Sequence, residues 1–232
     1  MKRQLLLLFM FFCLVGNAQK VKVIKMSRDY FRHTHVGGFD YLHVNADTST
    51  FQWVANVRVE FDTIQLRTLK GFYNKFNSKA NKMGANAFRV LNAELYTYRE
   101  VKYIELSVFH LRRENRDENL ELFQAGKIYL FGFLGHHQRI GGYKIEVNGK
   151  KMLLQELRYK IYEPEIGKEL RVKLGRGLKS DKIKTVIEPQ MLPRYYKFDL
   201  YKGMLSRGII SEHEWSFGEF LVHLLKKERE TL

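Results

Sequence analysis

Two histidine pairs, His33-x-His35 and His136-His137, are the nearest this sequence comes to a metal site. Imidazole suits zinc, copper or nickel, and residues two apart on a strand face the same way. The four rings would close a tetrahedral site only if their two segments met. Nothing in the sequence requires that meeting. Both pairs therefore also read as loop histidines in solvent, and no metal is assigned. Glu212-His213-Glu214 lacks the H-E-x-x-H spacing that puts two imidazoles and a base on one helical face.

Catalytic patterns are equally sparse. Gly132, Gly135, Gly141 and Gly142 cluster, but no Gly-Lys-Ser/Thr ending follows that would hold phosphates and magnesium. Ser206 lies between Gly203 and Gly208, which is the wrong spacing for a nucleophile elbow. The carboxylate pairs Glu163/Glu165 and Glu212/Glu214 could do acid–base work only inside a cleft. No catalytic residue and no cofactor is assigned. An enzyme is not the expected reading, although a hydrolase acting on envelope material, with a site no motif marks, stays open. So does a histidine-based metal-binding protein.

Cations are what the sequence has in excess. It holds 40 Lys and Arg against 25 Asp and Glu, a net charge of +15. Such a surface attracts polyanions and speeds their encounter. One run contains Lys168, Arg171, Lys173, Arg176, Lys179, Lys182 and Lys184. On a strand, Arg171 and Lys173 would point outward while Leu170, Val172 and Leu174 point inward. A second group, Arg67, Lys70, Lys75, Lys79 and Lys82, lies off the apolar face of a helix. Arg171, Lys173, Arg176, Lys75, Lys79 and Lys82 are therefore the candidate ligand-binding residues. The competing reading is a solvated charged face that serves solubility.

The N-terminus points to which polyanion. Lys2 and Arg3 precede an apolar run from Leu5 to Val15, and Gly16-Asn17-Ala18 puts small residues where a secretory signal is cut. The run is shorter than the roughly 20 residues of a bilayer span. Residues 1–18 are expected to be a cleavable signal peptide, with an uncleaved anchor as the alternative. The mature protein would be periplasmic or secreted. It would meet phospholipid headgroups, lipopolysaccharide or acidic glycans, or an envelope protein partner, rather than nucleic acid. No transmembrane span is expected in the mature chain. Cys13 is the one cysteine and lies in the apolar run, so thiol and disulfide chemistry are absent from the rest.

The elements that must position these residues follow from periodicity. Val21–Met26, Phe39–Ala46 and Thr50–Phe61 read as strands. A helix is expected from an Asp62 cap to a Gly84 stop, with Leu66, Leu69, Tyr73, Phe76, Ala80 and Met83 on one face. Ala87–Tyr96 and Val101–Leu111 read as two more strands. Residues 113–126 are polar and are read as a linker, or else as a long exposed loop. Beyond it, short strands are separated by turns. Asn148-Gly149 is the strongest hairpin signal. Ser216 and Glu219 have the spacing of a capping box before a short C-terminal helix.

The run Ala80-Asn81-Lys82-Met83-Gly84-Ala85-Asn86-Ala87 resembles the "A-x-x-x-G-A-N-A" helix–strand joint of small bacterial envelope α+β domains of heavy-metal-binding-like fold. The resemblance implies a similar layer architecture. It carries over no metal site, because the joint contains no good ligand. The C-terminal half resembles small exported β-sandwich domains.

The expectation is an α+β protein. Residues 19–112 would form an N-terminal, mainly antiparallel sheet with one packed amphipathic helix. Residues 127–232 would form a β-rich sandwich or open barrel with a short C-terminal helix.

Overall fold

A computed structural model of the chain describes residues 20–29, 37–61, 66–95, 102–132, 143–155, 157–174, 181–201 and 207–227. The expected signal peptide, the Asp62 cap, His33, His35, His136, His137 and Arg176 lie outside these residues. Among the described residues the fold is α+β, with three α-helices and three sheets.

The first sheet is built from β1 (Lys22–Met26), β2 (Asp40–Tyr41), β3 (Gln52–Phe61), β4 (Ala87–Glu94) and β5 (Lys102–His110), in the order β1-β3-β5-β4-β2. All its pairings are antiparallel except β2 on β4. Helix α1 (Leu66–Met83) buries Leu69, Phe72, Tyr73, Phe76 and Ala80 against it. Apart from Phe72 these are positions the three-and-four periodicity marks; of the others, Met83 is partly buried and the Leu66 side chain lies outside the described residues. Each large apolar side chain so buried contributes about 1.5–3 kcal/mol. The helix ends as the sequence indicates. The Gly84 N–H donates to the Asn81 carbonyl and the Ala85 N–H to that of Ala80, which satisfies two end carbonyls.

The strand expected over Phe39–Ala46 is only two residues long. Leu42 still donates to Phe88, but the next amide, that of His43, is taken by the Asn119 side chain. Asn119 sits on α2 (Arg113–Glu121), inside the polar segment 113–126. It also donates to the Tyr41 carbonyl, so one buried amide side chain ends the strand. Polarity concealed this helix, because its attachment to the protein is a hydrogen-bonding one.

Two further sheets follow. One contains β7 (Tyr143–Val147), β8 (Lys150–Leu154), β10 (Glu169–Leu174) and β11 (Asp181–Val186), in the order β11-β10-β7-β8. Asn148 and Gly149, both at positive φ, make the β7–β8 turn as expected. The other contains β6 (Ile128–Phe131), β9 (Arg158–Tyr162), β12 (Arg194–Tyr201), β13 (Arg207–His213) and β14 (Lys226–Lys227), in the order β13-β12-β6-β9-β14. Here β6 with β12 and β9 with β14 are parallel.

This last sheet is buried on both faces. Ile128, Leu130, Tyr196, Phe198 and Ile210 meet Ile145, Val147, Leu170, Val172 and Leu174 of the four-stranded sheet, forming a sandwich. Phe131, Tyr159 and Tyr195 point the other way. They join a cluster with α1, the first sheet and α3 (Trp215–Leu224). Alternation along β6 therefore feeds two cores at once. The segments on either side of residues 113–126 share that larger cluster.

The expected capping box is not formed. Glu214 is the N-cap of α3 and makes no side-chain cap bond. Ser216 already lies within the helix, where its hydroxyl accepts from the Tyr41 N–H at 3.2 Å, and Glu219 turns inward to Tyr195. Both side chains are spent on tertiary contacts.

Candidate functional site

The basic run of the second half becomes a sheet face. Leu170, Val172 and Leu174 are buried, and Arg171 lies exposed between them with Lys173 half-exposed beside it. The register sets Arg171 directly opposite Lys184 and Lys173 opposite Lys182 on β11. On the other side Lys173 lies opposite Glu146 of β7, and Glu146 opposite Lys151 of β8. Lys144, two residues before Glu146, extends the same face. The face thus presents Lys182, Lys184, Arg171, Lys173, Lys144 and Lys151 against the carboxylates of Glu146 and Glu169. Glu169 is hydrogen-bonded to the Arg171 guanidinium, which holds its carboxyl below the usual range.

Two like-charge pairs lie directly across from one another on this face. Such pairs destabilise a sheet, where opposite charges would stabilise it by roughly 0.2–1 kcal/mol. The sequence showed the outward alternation of Arg171 and Lys173. It could not show their partners, since register depends on which strands pair.

Lys75, Lys79 and Lys82 are placed elsewhere. They form a stripe along α1, with Lys75 and Lys82 exposed and Lys79 half-buried. The Lys75 ammonium lies 5.9 Å from the Phe72 ring centroid. Helix α1 belongs to the core cluster on the opposite side of the central sheet from β10. The two groups are separate patches. Lys70, earlier in α1, lies 4.2 Å over Phe217 and 3.7 Å from Glu214. Among the described residues no group of three or more His, Cys, Asp or Glu is arranged to hold a metal ion. No helix there is long and apolar enough to cross a membrane.

A second site was not legible in the sequence. A cavity of about 190 Å3 opens between β2, the α2–β6 connection and α3. On α3, Glu219 and His223 are one turn apart, with their side-chain atoms 3.8 Å from each other. The His223 Nε2 shares a hydrogen bond of 2.6 Å with the Tyr41 hydroxyl, and the two rings stack at 4.7 Å. Tyr195 donates to the far oxygen of Glu219 and stacks on Tyr129. The result is a chain, Tyr41–His223–Glu219–Tyr195, crossing from the first sheet to the central one.

Burial sets the protonation of Tyr41, Glu219 and Tyr195, while the His223 side chain is 37% exposed. Burial pushes the Glu219 carboxyl up and the Tyr41 and Tyr195 phenols far above their usual range. It pushes the His223 imidazole down, with His43 and Arg89 adding to the effect. His43 is lowered in the same way, by burial and by Arg89. The Arg89 guanidinium fixes the loop that carries His43, donating to the carbonyls of His43 at 2.6 Å and Ala46 at 3.1 Å. The larger hollow beside Thr50, Gln52, His110 and Glu114 gathers no such buried titratable groups.

Comparison with protein-family models, with curated proteins and with solved structures gave no match to this chain.

Proposed function

We propose that this protein is a non-enzymatic binding module that holds an anionic component of the cell envelope on the outer face of the β11-β10-β7-β8 sheet. The ligand chemistry is a row of phosphates or carboxylates, as on phospholipid headgroups, lipopolysaccharide or an acidic glycan. The observation that carries this reading is the pair of cross-strand oppositions, Arg171 to Lys184 and Lys173 to Lys182. A face evolved only for solubility would alternate the two signs and gain stability from doing so. Here Arg171 faces Lys184 and Lys173 faces Lys182, Glu169 and Glu146 offset part of the repulsion, and an added anion would relieve the rest.

The geometry suits an extended polyanion. Adjacent strands lie about 4.8 Å apart, and outward residues recur about every 6.8 Å along a strand. The cations therefore form a grid rather than a point. Placement in the envelope rests on the signal-like residues 1–18 and belongs to the proposal.

Co-sedimentation with phosphatidylglycerol vesicles, with lipopolysaccharide and with an acidic glycan tests the reading. A basic residue near an anionic lipid surface contributes about 1 kcal/mol, so replacing Arg171 and Lys173 by glutamate should weaken vesicle binding by at least about thirtyfold. Retention should fall steeply with salt as the Debye length shrinks. Binding that survives both the reversal and high salt would place the interaction elsewhere.

A further inference from the structure

We propose that the cavity between β2, the α2–β6 connection and α3 is a binding site for a small organic carboxylate. This site is independent of the basic sheet face. Its volume is about 190 Å3, on the scale of the roughly 150 Å3 enclosed cavity that holds a benzene ring.

The lining divides as such a ligand requires. Phe123, Val222 and Pro193 offer an apolar wall, and Lys127, His43 and His223 offer cationic or hydrogen-bonding groups. The Asn45 N–H donates to His43 Nδ1, which puts the imidazole proton on Nε2 and makes that nitrogen a donor. Lys127 lies 3.3 Å from Glu163, an exposed residue, so its ammonium is near solvent and able to exchange partners. Glu219, the carboxylate among the described lining residues, is engaged by Tyr195. Arg89 lies behind the His43 loop, and burial pushes the Glu219 carboxyl up. A ligand carboxylate would compete with Glu163 for Lys127 and would meet the His43 Nε2–H as a donor.

Proton linkage follows from the same arrangement. Tyr41 of β2, His43 and Arg89 beside it, Lys127 and Tyr129 at β6, Tyr159 of β9, Tyr195 of β12 and Glu219 of α3 are the titratable and charged groups around His223. The phenols are protonated and the basic groups disfavour a charged imidazole. A bound carboxylate reverses that balance, so binding takes up a proton and strengthens as pH falls from 7.5 towards 5.5.

The test is a benzoate titration of the protein, followed by the imidazole resonances of His43 and His223. Saturable binding is expected, with benzamide, the neutral ligand of the same shape, at least about tenfold weaker. Val44 lines the mouth and is 65% exposed, so Val44→Trp should block entry without disturbing the core. Lys127→Gln should weaken benzoate about tenfold and leave benzamide unchanged. No saturation by about 10 mM benzoate, equal affinity for benzamide, or binding indifferent to Val44→Trp would each overturn the proposal.

Discussion

Two asparagines show how single polar residues fix this fold. Asn86 exchanges two hydrogen bonds with the backbone of Leu111, at 2.8 and 2.9 Å, and so pins the helix–strand joint to the end of β5. Asn119 does the same for the end of β2. Both are buried, and neither could be ranked from sequence, where they look like ordinary turn and surface residues. His213 is a residue with the opposite problem. Its Nε2 is buried and finds no partner among the described residues, its ring stands edge-on to Phe217 at 4.9 Å, and burial lowers its pKa to about 4. The native state therefore binds this proton less readily than the unfolded chain. Stability should be full above pH 6.5 and fall as the pH drops from there towards 4, by about 1.4 kcal/mol per unit at most. In His213→Phe that slope should be shallower over the same window, as read by denaturant midpoints at each pH.

At the scale of elements, helix α3 depends on a close approach. A Cβ at Gly218 would sit 2.1 Å from the Tyr195 ring, which is itself fully buried. Gly218→Ala should cost about 1–3 kcal/mol or more, because neither the ring nor the helix has room to move. Gly71, in α1, has nothing within 4 Å of its Cβ position. Gly71→Ala should instead stabilise by about 0.5–1 kcal/mol. Thermal unfolding of the two variants checks both signs. Helix α1 was legible because its stripe is apolar and long. The β7–β8 hairpin was legible because Asn148-Gly149 marks a specific turn. Strands β9 and β13 and helix α2 were not. Arg113–Glu121 carries no apolar stripe, Arg158–Tyr162 is a short run paired with β6 and β14, and Arg207–His213 has Gly208 and Ser211 breaking its apolar pattern.

At the scale of the whole molecule, the central sheet is shared between two cores, with the helices and first sheet on one side and the four-stranded sheet on the other. The α+β class followed from strand spacing, which left the second half as either a sandwich or an open barrel. The joining of the two halves did not, because Phe131, Tyr159 and Tyr195 read equally well as facing one local core. The Tyr41–His223–Glu219–Tyr195 chain was hidden for the same reason, since Tyr41 and His223 stand 182 positions apart. The basic face sits at the outer side of this assembly, with Arg171 and Lys173 set against Lys184 and Lys182. The direct measurement is the double variant Lys182→Glu/Lys184→Glu, scored for both thermal stability and binding to phosphatidylglycerol vesicles. A higher unfolding temperature is expected, as two like-charge pairs become opposite-charge pairs, together with lost binding. A variant that is no more stable and still binds as well as the parent would contradict the proposed binding face.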